Sequence, residues 1–336
     1  MVSVKVPNLF NEEPLENLLK QQRRLAWDAD ASINWRRGVD FTKPFVPLDK
    51  NHILFPEVSD AEKLAISQYM GLMIAATISE MELTMQRLRE VSWRPYMERN
   101  AVNPELIALG ENFFDEEAKH ARVFQKFLDL SAAELNVSPE DLKSILPRVN
   151  SGYVEKILRQ NAKNDGLALW WIVTTVEEES ILIFRMMKPH KAKLDPLYYE
   201  LHHRHFEEEA RHACYPFLMI ELASALKTSP MTSWLRKTDF VVSEMLKLFW
   251  MFFELSKTLD ISCFKNHHPF FRTLSGLIPK LKDRSLPGLL AAFVRETPYI
   301  STFINPLCYP HTKKAVAKSG VFHLPFPEPI LNEVGW

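Results

Sequence analysis

The chain has 336 residues, enough for one large domain or two small ones, and its 41 Lys and Arg nearly balance its 42 Asp and Glu. The net charge of −1 gives no sign of the basic surface that nucleic-acid binding uses. Only nine residues are Gly, and long stretches carry apolar residues at helical spacing. We therefore predict an all-α protein that does not bind nucleic acid.

Cysteine usage and hydropathy predict a cytoplasmic protein without a membrane partner. The three cysteines, Cys214, Cys263 and Cys308, are too scattered to form a disulfide framework. The first residues do not combine a basic region with an apolar one, so no signal peptide is expected. The most apolar stretch, near residues 246–255, is too short to span a bilayer.

Turn and capping residues divide the chain into three parts. Residues 1–58 are predicted to form an irregular arm, with one helix near residues 14–27, that packs on the body. Residues 59–298 are predicted to form the main helical domain, which begins at the capping box of Ser59 and Glu62. The Pro-rich residues 299–336 are expected to wrap around its surface as a tail.

Four long helices are predicted in the first two-thirds of the main domain. The first runs to about residue 91, and the second begins at Asn103-Pro104, which combines a cap with Pro at the first helical position. The connection over 132–163 includes short helices after Ser138 and over 151–161. The remaining predicted helices are a third at 166–187, a fourth at 195–226, a fifth at 230–259, and shorter ones near 268–281 and 286–296. Pro216 predicts a kink one turn after His212.

Acidic residues and histidines interrupt these helices in a specific order. On the fourth helix, His205, Glu209 and His212 share one face because of their spacing, and the second helix carries a Glu-x-x-His of its own at Glu117 and His120. The first and third helices each carry glutamates within apolar runs. One Glu from each of two helices, with Glu-x-x-His from the other two, is the ligand set of ferritin-like di-metal bundles, which we predict here.

Two of these ligand choices depend on helix faces. On the first helix, Glu80 shares its face with more apolar residues than Glu82, so we select Glu80 as the ligand. On the third helix, periodicity does not distinguish among the three adjacent glutamates 177–179. Spacing excludes Glu116 and Glu208 as ligands, because each lies about 100° around its helix from the ligand glutamate beside it.

The order Glu, Glu-x-x-His, Glu and His-x-x-x-Glu-x-x-His resembles the p-aminobenzoate N-oxygenase family of di-iron arylamine oxygenases. The tail segment TKKAVAKSGVFHLPFPEP is similar to the C-terminal segment of that family. The segment from Val176 to Ile181 is similar to its Val-x-Glu-x-x-Ile, which implies Glu178 as the third-helix ligand. Residue by residue, the resemblance implies a metal-ligand set of Glu80, Glu117, His120, Glu178, His205, Glu209 and His212.

The resemblance also implies the chemistry. Two iron ions would use O2 to oxygenate the nitrogen of a small-molecule amine, giving a hydroxylamine and then a nitro product. Four carboxylates balance the charge of two divalent ions, and mixed carboxylate and imidazole ligands suit iron or manganese. No flavin or nicotinamide motif occurs, so an external donor, a reductase or a ferredoxin, would supply electrons.

Three alternatives remain at this level. His205 is either a direct ligand, which its position one turn before Glu209 favours, or a hydrogen-bonding neighbour of the ligands. The same core could serve a di-iron enzyme that acts on C–H bonds, or a non-catalytic iron-binding protein. The long aromatic fifth helix, together with the family resemblance, predicts a homodimer.

Overall fold

The computed structural model describes residues 15–47, 58–100, 102–148, 156–157, 159–160, 167–225, 229–257, 268–282 and 305–324. Within these ranges the regular structure is entirely helical, as predicted. The helices are α1 (Leu15–Leu25), α2 (Asp60–Leu88), α3 (Arg94–Arg99), α4 (Pro104–Glu134), α5 (Pro139–Ser144), α6 (Ala168–Met187), α7 (Pro196–His212), α8 (Cys214–Ala225), α9 (Pro230–Lys257), α10 (Pro269–Lys282) and α11 (Pro310–Ser319). None of the described helices is both long enough and apolar enough to cross a membrane.

Local capping determines where several of these helices begin. The Ser59 side chain accepts the Glu62 N–H, and the Glu62 carboxylate accepts the Ser59 N–H at 2.9 Å, so the predicted capping box is present. The side chains of Asn103 and Asp195 accept backbone N–H groups at the starts of α4 and α7, and each residue is followed by Pro. Because these signals lie within a few residues of each helix start, sequence alone places the starts correctly.

The predicted fourth helix is interrupted directly after His212. It ends there as α7, and α8 begins at Cys214. Pro216 lies in the first turn of α8 and cannot donate to the His212 carbonyl, which explains a break in this region. The break comes slightly earlier than the predicted kink and leaves the last histidine at the end of a straight helix.

Four helices surround a polar centre that lies between two apolar clusters. Helix α2 packs along α4, α6 packs along α7, and α4 contacts α7. Phe124, in the first apolar cluster, contacts the His205 ring with centroids 5.0 Å apart. Phe113, in the second cluster, contacts the His212 ring at 5.1 Å. The polar centre is therefore enclosed on both sides by aromatic core.

The part of the N-terminal arm that the structure describes packs on this body. Phe45 is fully buried against Gly71 of α2, where an added Cβ would lie 2.5 Å from the Phe45 Cβ. The Ser67 hydroxyl accepts the N–H groups of Phe45 and Val46 at 3.0 and 3.1 Å. The close approach at Gly71 explains why this helix interior has no side chain at that position.

The C-terminal tail contains a helix that was not predicted. Helix α11 (Pro310–Ser319) has buried residues at Thr312, Ala315 and Val316, and it packs on α6. The predicted helix near 286–296 lies outside the described residues, as does most of the one near 151–161.

Candidate metal centre

Six buried side chains from three helices form two overlapping groups of possible ligand atoms. The first group contains Glu82, His120, His205 and Glu209, and the second contains Glu117, His120, Glu209 and His212. Within each group the ligand atoms lie within 4.8 Å of one another. Five of the seven predicted site residues thus come together, and His120 and Glu209 belong to both groups.

Within the centre, imidazole nitrogens lie 2.7 to 3.4 Å from carboxylate oxygens. His205 Nε2 lies 2.8 Å from Glu82 Oε1 and 3.0 Å from Glu209 Oε1. His212 Nδ1 lies 2.7 Å from Glu117 Oε1 and 3.4 Å from Glu209 Oε1. The Glu209 carboxylate therefore lies between the two groups, where it could bridge two cations.

The structure places Glu82, and not the predicted Glu80, among the possible ligands. Glu82 is only 5% exposed and belongs to the first group, whereas Glu80 is half-buried and belongs to neither group of the described residues. The polar residues on the Glu82 face are not turned to solvent. They bond to helix α4: the Ser79 hydroxyl donates to the Ala121 carbonyl.

The same face continues one turn further along α2. The Gln86 amide donates to the Phe114 carbonyl at 2.6 Å, and Arg89 pairs with Glu111 and Asp115. A polar stripe on a long helix can therefore be its buried face, when the neighbouring helix offers carbonyls and carboxylates. The number of apolar residues on each face of the helix, which favoured Glu80, could not reveal this.

On α6, the structure places Glu177 at the centre, and not Glu178, which the resemblance implies as the ligand. Glu177 lies beside Glu209, to which it is hydrogen-bonded, and lines the centre. The Glu178 carboxylate instead accepts the Thr312 N–H and hydroxyl, both at 2.7 Å, and thereby caps α11. Glu179 accepts the Tyr309 hydroxyl. The three adjacent glutamates on α6 thus serve two different structures.

Two further glutamates, which spacing excludes as ligands, hold the histidines from outside. Glu208 Oε2 lies 2.6 Å from His120 Nε2, and Glu116 Oε2 lies 2.6 Å from His212 Nε2. Each motif therefore contributes the outer carboxylate for the histidine of the other motif. The signal in the sequence is the doubled glutamate that begins both segments, Glu-Glu-x-x-His.

These outer contacts fix the histidine tautomers. An ionised carboxylate can only accept a hydrogen bond, so Nε2 of His120 and of His212 must carry the proton. In a neutral imidazole the other nitrogen, Nδ1, then presents a lone pair, here towards the centre. Such an outer partner is what orients metal-binding histidines in proteins.

The outer carboxylate of Glu208 has further support from the N-terminal arm. Lys119 Nζ lies 2.6 Å from it and also donates to the Trp27 carbonyl at 3.2 Å. The Lys119 ammonium lies 4.3 Å from the centroid of the Trp27 ring, which stacks on the His120 ring at 6.1 Å. Neither Trp27 nor Lys119 stood out in the sequence, because no local pattern distinguishes them.

Burial dominates the electrostatics of the inner carboxylates. Burial raises the pKa of Glu82 well above its usual range, and burial with the charges of Glu209 and Glu117 does the same for Glu177. Burial opposes ionisation of Glu209 too, but His205 and the hydrogen bond with Glu177 outweigh it and hold the Glu209 pKa well below its usual range. The pKa of Glu209 is thus shifted in the opposite direction from those of Glu82 and Glu177.

At His212 and at the outer carboxylate of Glu208, charges and hydrogen bonds outweigh the effect of burial on the pKa. Burial opposes protonation of His212, but the charge of Glu209 and hydrogen bonds with Glu116 and Glu117 raise its pKa well above the usual range. Burial likewise opposes ionisation of Glu208, but its bond to His120 and the charge of Lys119 lower its pKa to about 2. Protons therefore balance the carboxylate charges when no cation does so.

The atoms that face the centre have the character of unsatisfied ligands. Six buried atoms of these described residues lack a hydrogen bond of good geometry, although imidazole nitrogens lie as close as 2.7 Å to carboxylate oxygens: Glu82 Oε2, Glu117 Oε1, His120 Nδ1, Glu177 Oε2, Glu209 Oε1 and His212 Nδ1. Glu82, Glu117, Glu177 and Glu209 also line a cavity of about 10 Å³, with Ile78, Met85 and Val176 among its apolar walls. Buried polar atoms without partners are costly, so their convergence fits bound cations.

No family model, no curated protein and no solved structure matches this chain. The resemblance to the N-oxygenase family and its functional implications therefore stay predictions, supported by the residues named above.

Proposed function

We propose that the centre binds two transition-metal ions and that the protein is a non-haem di-iron oxygenase with a ferritin-like bundle. The observation that carries this proposal is the convergence of buried carboxylate oxygens and imidazole nitrogens within 4.8 Å of one another in two overlapping groups. The ligands would be Glu82, Glu117, Glu177 and Glu209 with His120, His205 and His212. Four carboxylates match the charge of two divalent ions, and this donor mixture suits iron or manganese.

The reaction that we propose is oxygenation of an arylamine nitrogen. Bound iron would supply the activation of O2. In the first step one oxygen atom becomes the hydroxyl of a hydroxylamine. The other leaves as water, after uptake of two electrons and two protons from outside. The electrons would come from a reductase or a ferredoxin, because the sequence carries no flavin or nicotinamide motif. We propose a cytoplasmic location, because the three cysteines are too scattered in the sequence for a disulfide framework.

The residues of the chain would support this reaction in three ways. Glu208 and Glu116 hold the histidine rings with Nδ1 towards the centre, which fixes the ligand geometry. Glu209, held ionised between the two groups, is the carboxylate best placed to bridge two ions. The aromatic walls exclude water, which strengthens every charge interaction inside.

Metal analysis and a substrate screen test the proposal. The purified protein should bind about two irons per chain. After anaerobic reduction and addition of O2, it should convert p-aminobenzoate or another arylamine to hydroxylamine and nitro products, detected by mass spectrometry. The Glu82→Gln variant should lose this conversion, and the matched Glu80→Gln variant should keep it.

Other results would favour other functions. Many irons per chain, without amine turnover, would indicate iron storage. Two irons with hydroxylated carbon products would indicate an oxygenase of C–H bonds. Full retention of metal in Glu82→Gln would contradict the centre itself.

A further inference from the structure

A series of aromatic contacts joins the buried Trp93 to the candidate ligand His212. The Phe113 ring lies 5.1 Å from the His212 ring and 5.2 Å from the Tyr215 ring, measured between centroids. Tyr215 in turn accepts a hydrogen bond from Trp93 Nε1 at 2.6 Å, and both residues are only 1% exposed. Tryptophan and tyrosine are among the side chains that give up one electron most readily. The series therefore leads from the centre to an oxidisable pair, which we call the Trp93–Tyr215 pair.

Three irregular features of the fold meet at this pair. Gly110 of α4 makes room for it, because an added Cβ would collide with the Tyr215 hydroxyl oxygen and with the Trp93 ring. Trp93 ends a short π-helical turn, Arg89–Trp93, that follows α2. Tyr215 lies directly after the break between α7 and α8. Such π-helical turns occur frequently at functional sites, so their use around one buried hydrogen bond suggests more than packing.

Electrostatics favour oxidation of Trp93 over Trp27, the tryptophan on the other ligand histidine. Trp27 stacks on the His120 ring, but Lys119 Nζ lies 4.3 Å from the centroid of the Trp27 ring. Removal of an electron from Trp27 would therefore place two positive charges close together inside the protein. Loss of an electron makes an indole N–H more acidic, so the hydrogen bond from Trp93 to the Tyr215 oxygen would strengthen and stabilise the oxidised ring.

We propose that the Trp93–Tyr215 pair is a one-electron relay between the external donor and the metal centre, an inference that rests on the proposed function. One electron leaves the Trp93 indole and passes by way of Tyr215, Phe113 and His212 to the oxidised centre, which is reduced by one electron. No bond breaks, and Nε1 keeps its proton, which the Tyr215 oxygen holds. The external donor then returns one electron to the indole, so Trp93 is unchanged at the end of the cycle.

The segment around Trp93 also offers access to a donor. The next residue, Arg94, has a side chain that is 39% exposed and pairs with the 57% exposed side chain of Glu90. The indole is therefore buried but adjacent in sequence to side chains that solvent and a donor protein can reach.

Photochemical oxidation of the metal-free protein tests which residue is oxidised most easily. Ruthenium(III) tris(bipyridine), generated by a light flash, removes one electron, and the sample is frozen for electron paramagnetic resonance. All samples carry Trp234→Phe, because Trp234 is 56% exposed and would compete for the oxidant. Ring-deuterated tryptophan should change the hyperfine splitting of the trapped radical, which identifies it as an indole. Trp93→Phe should abolish this signal, and Trp27→Phe, the matched control, should keep it.

The reduced, iron-loaded protein tests the connection to the centre. After mixing with O2, without an amine and without a donor, it should develop the same indole radical, because no electron returns to Trp93. Trp93→Phe should lose the radical. Tyr215→Phe removes only one hydroxyl group from the core and should lower the yield of the radical. Circular dichroism and iron content, which should be unchanged, verify that both variants fold.

Three results would overturn the relay. An indole radical that persists in Trp93→Phe, or that is lost in Trp27→Phe, would assign the oxidation to another residue. Oxygenation of an amine by a loaded protein that forms no radical would refute the relay and leave the proposed function intact. A chain that binds no iron would refute both, and the metal-free sample would then still show whether Trp93 is the most easily oxidised residue.

Discussion

The two Glu-Glu-x-x-His segments have the same spacing but different surroundings. On α7, the inner Glu209 belongs to both ligand groups, and the outer Glu208 is completely buried beside Lys119. On α4, the inner Glu117 belongs to one group, and the outer Glu116 is 8% exposed, with Arg211 no closer than 3.8 Å. Two identical motifs are therefore not held equally firmly, because the contacts from other helices and from the arm differ between them.

The largest expected difference is between the two inner carboxylates. Glu209→Gln should reduce bound iron from about two per chain to well below one, because Glu209 faces both groups. Glu117→Gln should remove about one iron, since the first group stays complete. Metal content measured by mass spectrometry after anaerobic loading distinguishes them. Glu207→Gln, on the same helix and paired with Arg204 at the surface, is the control. Equal losses for Glu209 and Glu117 would refute the bridging position.

The second comparison is between neighbouring glutamates on α2. Glu82→Gln should remove about one iron and leave the second group filled, because Glu82 belongs to the first group only. Glu80→Gln should keep both irons. Near-equal metal content in the two variants would mean that the face of α2 that carries Glu82 is not the one turned to the metal.

The outer carboxylates should have smaller effects. Loss of such a partner typically costs about 10–100-fold in metal affinity, so Glu208→Gln and Glu116→Gln should each weaken iron binding by that order. Glu208→Gln should also lower the melting temperature more, because it leaves Lys119 with less charge compensation. Calorimetric titration and thermal unfolding give both quantities. A greater loss of stability for Glu116→Gln would show that the α4 motif, and not the α7 motif, is held more firmly.

The smallest expected effect is a pH dependence of the metal-free protein. His212 has a raised pKa in the folded chain, so its stabilising contribution is complete below its unfolded value and is lost as pH rises through the folded pKa. The raised pKa of Glu82 acts with the same sign. The melting temperature of chelator-treated protein should therefore fall from pH 6.5 upwards.

The metal-loaded protein supplies the contrast. Cations replace these protons, so loading should release protons into a weakly buffered solution, and affinity should rise with pH. The loaded protein should keep its melting temperature over the same pH range. A parallel fall in both forms would exclude protonation of the centre as the cause.

The sequence predicts the helices and most of the centre, because those features depend on short-range patterns. Caps at Ser59, Asn103 and Asp195 lie beside the helix starts that they specify. The inner glutamates and the histidines follow from spacing of three to seven residues along one helix. These features require no knowledge of what packs against each element.

The structure differs from the prediction where another element decides which way a glutamate faces. Glu82 lies at the centre instead of Glu80 because α4 provides partners for a polar face of α2. Glu177 lies there instead of Glu178 because α11, distant in sequence, takes the second glutamate for its own cap. Trp27 and Lys119 became visible only in three dimensions. The proposed iron content and the oxygenase activity stay predictions for the experiments above.

The cap that Glu178 provides for α11 has a consequence for biosynthesis. Helix α6 carries three adjacent glutamates into the interior, and two of them accept hydrogen bonds from residues more than 120 positions later. While the ribosome is still translating the intervening segment, those two carboxylates are without these partners. The face of α6 that carries these two glutamates can therefore take its final form only after Tyr309 and Thr312 have been synthesised. Packing of α11 on α6 thus follows the synthesis of α6 by more than 120 residues.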